Sequence, residues 1–158
     1  MTLNLNELAR GGTACFSYAG LAEGTNDSTI KIAASNGAGV DYAINGVLYH
    51  KADADNIDPT ACDEQADDTK CLYLFTLNSS GTLDTIKGTE VDTADLTAGT
   101  AVLEWPTPAA DTCPIGAMKI ETDGATFTVG TDDITSDISG GTVTFYNLFT
   151  VPVSPLTS

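Results

Sequence analysis

Positive charge is what this chain has least of. Its 158 residues carry six Lys and Arg against 22 Asp and Glu, a formal net charge of −16, with one histidine and one tryptophan. So acidic a surface repels phosphate backbones and anionic lipid, which argues against nucleic acid and membrane as direct partners. It also keeps copies apart unless a specific apolar contact overrides the repulsion. No apolar run approaches the roughly 20 residues that cross a bilayer as a helix. Met1-Thr2-Leu3-Asn4-Leu5-Asn6-Glu7 has neither a basic nor a long apolar stretch, so no secretory signal is expected. The four cysteines, Cys15, Cys62, Cys71 and Cys113, form no C-x-x-C pair, which removes zinc-ribbon and thioredoxin-like readings. They are expected to be reduced and packed. The alternative is a Cys62–Cys71 disulfide, closing a short polar loop in an oxidising medium. There is no G-x-S-x-G elbow for a serine nucleophile. Gly37-Ala38-Gly39 precedes a strand rather than a helix, so it is turn punctuation and not a phosphate loop.

What is there is β grammar. Hydrophobic residues make up 42% of the chain, enough for one globular domain with a real core. Asn45-Gly46 sits between two β-rich runs, and both residues tolerate the positive φ of a type I′ turn. A two-residue turn sets Ile44 against Val47, Ala43 against Leu48, Tyr42 against Tyr49 and Asp41 against His50. Val40, Tyr42, Ile44, Val47 and Tyr49 then share an apolar face that needs a core. Asp123-Gly124 reads as a second such turn, with Ile120 facing Phe127 and Met118 facing Val129.

Other segments fit the same pattern. Residues 15–18 read as a short strand, and residues 29–33 as a strand with Ile30 and Ile32 inward. Residues 52–70 read as an acidic loop. Cys71-Leu72-Tyr73-Leu74-Phe75-Thr76-Leu77 is apolar on both parities, as in a central strand buried on both faces. Residues 82–87 read as a more solvated strand, residues 90–100 as polar loop, residues 101–105 as a strand stopped by Pro106, and residues 141–147 as a last strand. About nine strands follow, with no helix longer than two turns. The expectation is an all-β fold, an antiparallel β-sandwich or barrel, with an N-terminal arm at residues 1–13, a β domain at 14–149 and an extended tail at 150–158.

Candidate chemistry is thin. Asp41 opposite His50 reads as a solvated cross-strand pair, since a triad would need a nucleophile placed by a third element. Asp53, Asp55 and Asp58 begin like a calcium loop, but the Gly at its sixth position and the Glu at its twelfth are missing, so a solvated acidic loop is the stronger reading. Trp105, Tyr42, Tyr49 and Phe16 could stack on sugar, although such aromatics more often sit in cores or anchor interfaces. No pair of carboxylates stands out for glycosidase work. No enzyme activity and no cofactor are expected.

One succession of residues is familiar. Trp105-Pro106-Thr107-Pro108 leads to Thr112-Cys113-Pro114-Ile115-Gly116-Ala117-Met118-Lys119-Ile120. Then come Ala125-Thr126-Phe127-Thr128-Val129-Gly130-Thr131-Asp132-Asp133-Ile134 and Thr142-Val143-Thr144-Phe145-Tyr146-Asn147-Leu148-Phe149. This order resembles structural proteins of tailed bacteriophage virions, of the head decoration, head fibre or tail fibre kind. It covers roughly the last third of the chain. The resemblance implies a β-rich virion component, made in the host cytoplasm and often trimeric. The reading it favours is a head decoration (cement) protein on the outside of the capsid, a homotrimer whose partner is the major capsid protein. Contacts are then expected from Leu3, Leu5 and Leu8 in the arm and from Phe149, Val151 and Val153 in the tail. The alternative it leaves is a receptor- or glycan-binding fibre module, with Tyr49 and Trp105 exposed for stacking.

Overall fold

The computed structural model describes residues 12–138 and 140–156. Among them run β1 (Ala14–Cys15), β2 (Leu21–Glu23), β3 (Ile30–Ile32), β4 (Val40–Ile44), β5 (Val47–Lys51), β6 (Ala54–Ile57), β7 (Thr69–Asn78), β8 (Leu83–Lys87), β9 (Val91–Asp92), the helix α1 (Thr93–Ala98), β10 (Thr112–Glu121) and β11 (Thr142–Asn147). Every strand pairing is antiparallel. The strands make three open sheets: β1-β4-β5, β2-β3-β6, and β11-β10-β7-β8 with β9 added to β7. The fold is therefore all-β and sandwich-like, without the closure of a barrel.

Local chemistry explains the first hairpin. Asn45 and Gly46 have φ values of 52° and 83°, the pair of positive angles that a type I′ turn needs. The β4–β5 register runs from Val40↔Lys51 to Ile44↔Val47, as the turn dictates. Burial follows this register on β4, where Val40, Tyr42 and Ile44 are all buried, but not on β5. Val47 and Leu48 are 54% and 73% exposed, on the outer strand of this sheet among the described residues.

The main core gathers side chains from all three sheets. One buried cluster holds Tyr42 and Ile44 of the first sheet, Ile30 and Ile32 of the second, and Tyr73, Phe75, Met118 and Ile120 of the large sheet. Each such side chain, fully buried, contributes roughly 1.5–3 kcal/mol of transfer free energy. β7 is buried on both faces, as its composition demands. Tyr73 and Phe75 point into the main core, while Leu72 joins a second cluster with Leu96 and Leu103, flanked by Trp105, Tyr146 and Leu156.

Four expectations are corrected. The 117–129 hairpin does not form: β10 pairs instead with β7 and with β11, setting Ile120 opposite Val143 and Met118 opposite Phe145. Gly124 has a positive φ but Asp123 does not, so the turn is not type I′. Its amide donates to Asp67 Oδ1 at 2.6 Å, and the chain swings away to Gln65. There the Gln65 amide donates to the Phe127 carbonyl at 2.7 Å, and the Phe127 amide returns the bond at 3.1 Å. Phe127 and Val129 still bury completely, so their inward reading holds while their pairing does not.

The remaining three concern short elements. Residues 52–70 contain β6 and the start of β7 rather than only loop. Residues 90–100 contain β9 and α1, the latter closed by Gly99 at φ 71° with its amide donating back to the Asp95 and Leu96 carbonyls. Residues 101–105 make no strand. Only Leu103 pairs, exchanging two backbone bonds of 2.9 and 2.8 Å with Leu156.

Candidate functional site

Two segments that leave strand ends build the most exposed aromatic cluster among the described residues. Phe16 and Tyr18 follow β1, and Phe149 follows β11. One backbone bond joins the two segments, and another holds the second segment to β10. The Cys15 amide donates to the Phe149 carbonyl at 2.9 Å, and the Leu148 amide donates to the Ile115 carbonyl at 3.1 Å. Asn147 clamps the turn beyond, its Oδ1 accepting from the Gly20 amide at 2.9 Å. On the other side the Phe16 amide donates to the Asp41 carbonyl at 2.7 Å, and the Asp41 amide donates to Ser17 Oγ at 2.8 Å.

On this frame Phe16, Tyr18 and Phe149 stand 54%, 62% and 61% exposed. The Phe16 and Phe149 rings meet edge to face with centroids 6.1 Å apart. A groove of about 240 Å³ runs between the segments, lined also by Ser17 and Leu148. Large exposed aromatics on a hydrogen-bonded frame lose little entropy when a partner covers them, which is why such residues anchor interfaces.

The comparisons with known proteins come out empty. No family model, no curated protein and no solved structure matches this chain. The residues alone must carry any functional argument.

Of the expected contact residues, Leu3, Leu5 and Leu8 lie outside the described residues. Phe149 belongs to the aromatic cluster. Val151 is half-buried and Val153 fully exposed. They sit apart from that cluster, in a second groove of about 280 Å³ between Trp105-Pro106-Thr107-Pro108 and residues 151–155. The Leu103–Leu156 bridge ties this stretch down. Val153 is thus displayed from a pinned segment.

The two residues expected to be open for glycan stacking are both engaged. Tyr49 is half-buried and stacks on Tyr42 at 5.6 Å. Trp105 is half-buried, edge-on to Tyr146 at 5.8 Å, and its indole N–H donates to the Ser154 carbonyl at 3.1 Å. Tyr18 was missing from the sequence-based candidates. Its signal is the Phe16-Ser17-Tyr18 alternation, which reads as a strand that would bury one face, whereas β1 ends at Cys15 and leaves both rings at the surface.

The acidic residues act as caps and cross-links. Asp53 Oδ1 accepts from the Ala34 and Gly39 amides at 3.0 and 3.1 Å. Asp55 accepts from the Thr25 hydroxyl and amide, which holds its carboxyl below the usual range. Asp58 is exposed. These three side chains are not gathered, and no group of metal-ligating side chains occurs among the described residues. Asp41 Oδ1 lies 2.8 Å from His50 Nδ1 on an exposed face, a cross-strand pair as expected.

All four cysteines are free thiols, with Cys62 half-buried and the others buried. The Cys62–Cys71 disulfide is therefore not formed. Burial raises all four thiols, those of Cys71 and Cys113 to about 12. They are protonated and inert as nucleophiles near neutrality. No helix among the described residues is long and apolar enough to cross a membrane.

Proposed function

We propose that this chain is a non-enzymatic component of a tailed-phage virion: a head decoration protein that binds the outside of the capsid as a homotrimer and cements it. The observation that supports this reading is the exposed Phe16–Tyr18–Phe149 cluster on a surface that is otherwise strongly anionic. An acidic particle exterior stays soluble, and a compact aromatic patch gives it one place to adhere. The mechanism is mechanical. Apolar rings are buried across joints of the major capsid protein, adding interface against pressure from packaged DNA. Many copies act together, so modest affinity per contact suffices. The fibre alternative asks for Tyr49 and Trp105 open to sugar, and their packing against Tyr42 and Tyr146 favours the decoration reading.

The test uses heads lacking this protein. Adding the intact chain should saturate them at high copy number and raise the temperature at which they release DNA. A Phe16→Ser/Phe149→Ser chain of unchanged fold should bind about five- to thirtyfold more weakly, the loss of about one to two kcal/mol expected for aromatic anchors. Heads that neither bind the protein nor gain stability from it would sink the reading. So would a double variant that binds as well as the parent.

A further inference from the structure

Two Asn-Gly steps occur in the sequence, Asn36-Gly37 and Asn45-Gly46. A step of this kind is prone to lose its side-chain amide, because glycine puts no Cβ in the way of the attack. The Gly amide nitrogen gives up its proton and bonds to the Asn Cγ, the Cγ–Nδ2 bond breaks, and ammonia leaves with that proton. Water then opens the resulting succinimide to Asp or isoAsp, so water is the one reactant consumed. The two steps look alike. All four residues are exposed, and φ is positive throughout, 63° and 68° at the first step and 52° and 83° at the second.

What separates them is how the reacting atoms are held. At the second step the proton that must leave Gly46 is bound to the Gly12 carbonyl, at 2.8 Å. The nitrogen that must leave Asn45 donates to Asp111 Oδ1, also at 2.8 Å, a charge-assisted bond. The Asn45 amide is tied to Thr13 Oγ1 at 3.0 Å as well. Ring closure at Asn45 thus breaks bonds to two distant parts of the chain, both anchored to strands, since Thr13 leads into β1 and Asp111 into β10.

At the first step the restraints are local. The Gly37 amide donates to the Ala34 carbonyl at 3.1 Å, within one short 3-10 turn. No bond to the Asn36 side chain occurs among the described residues. Asp53 Oδ1 holds the Ala34 and Gly39 amides on either side, and residues 35–38 between them are exposed throughout. This turn can open without disturbing a sheet, and short exposed segments of that kind open at little cost.

We propose that Asn36 is the site at which this protein deamidates, and that Asn45 is kept intact by its bonds to Gly12 and Asp111. The product carries a further negative charge on a turn already built around Asp53, where a Cβ on Gly37 would stand 3.9 Å from Oδ2. Its isoAsp form also lengthens the main chain inside that turn.

Storage of the intact chain in mildly alkaline buffer, followed by peptide mapping that resolves Asn, Asp and isoAsp, tests this. Asn36 should convert at least about tenfold faster than Asn45. In guanidinium chloride the two rates should converge, because the restraints on Asn45 exist only in the folded state. Asp111→Gly, which suits the φ of 57° at that position, should speed conversion at Asn45 at least about fivefold and leave Asn36 unchanged, with an unaltered melt showing that the fold is kept. Equal rates at the two steps in the folded chain would overturn the proposal. So would an Asn36 that stays intact while the unfolded chain converts, or an Asn45 indifferent to Asp111→Gly.

Discussion

Gln65 shows how a single polar side chain can hold a loop to this core. It is fully buried. Its amide nitrogen donates to the Thr69 carbonyl at 3.1 Å and to the Ile120 carbonyl at 3.3 Å, and its oxygen accepts from the Tyr73 hydroxyl at 3.1 Å. Replacing it with an apolar side chain takes the hydrogen-bond partner from the buried Tyr73 hydroxyl, at about 1–3 kcal/mol for the unpaired group, while the Thr69 carbonyl keeps its bonds from the Thr122 amide and hydroxyl. Gln65→Met is expected to lower unfolding free energy by about 3 kcal/mol, read from the denaturant midpoint, and Tyr73→Phe by only about 1 kcal/mol. The two losses should fall short of additive in the double variant, because the same bond is counted in both.

Glu90 makes a titratable counterpart. Burial pushes its carboxyl up, but bonds from the Lys87 ammonium and the Ala66 amide outweigh this and hold it below its ordinary value of 4.5. The folded state thus binds this proton less readily than the unfolded state. The stabilisation is complete above 4.5 and is lost as pH falls through the lower folded value. A Glu90→Gln chain should be less stable than the parent near neutrality and should lose stability less steeply in acid, as melts across that range will show.

At the scale of elements, close approach matters as much as pattern. Gly116 lies at the β-bulge where β10 shifts register against β7. A Cβ there would stand 2.2 Å from Leu21 Cδ1 and 2.5 Å from the Tyr146 carbonyl oxygen, so Gly116→Ala must push β11 or β2 off β10. A loss of about 3 kcal/mol is expected, the upper part of the range for overpacking a core, with the midpoint of chemical unfolding as the measure. The same contrast explains what could be read ahead of the structure. The β4–β5 register was legible because Asn45-Gly46 sets it within two residues. The doubly buried character of β7 was legible because both parities are apolar. The partner of β10 was not, because Ile120 and Met118 fit Phe127 and Val129 as well as they fit Val143 and Phe145. Distant contacts decided it, with Gln65 claiming Phe127. β6 left little apolar trace, Ile57 being its one side chain packed on the core, and Asp55 and Asn56 secure it by accepting from the Thr25 and Asn26 amides. The aromatic cluster was half visible. Phe16 and Phe149 were candidates for separate roles, and only the Cys15–Phe149 bond brings them together.

For the molecule as a whole, two electrostatic effects of opposite sign respond to salt. Local pairs favour the fold: Lys70–Glu121 at 3.0 Å, Lys87–Glu90, and His50–Asp41 where the histidine is protonated. Screening weakens them, but partly exposed pairs are worth at most about 1 kcal/mol each. Against them stands the mutual repulsion behind a net charge of −16, which is felt across the whole compact state and relaxes on unfolding. A Debye length that shrinks to about 10 Å at 0.1 M salt cuts this long-range part most. Repulsion should therefore win, and added sodium chloride should raise Tm by about 3–6 °C, the equivalent of one to two kcal/mol in a chain of this size. Potassium chloride should act alike, because screening does not depend on which monovalent cation supplies it. A fall in Tm with salt would mean that the few ion pairs outweigh the surplus of carboxylates, and that the anionic surface does not strain the fold.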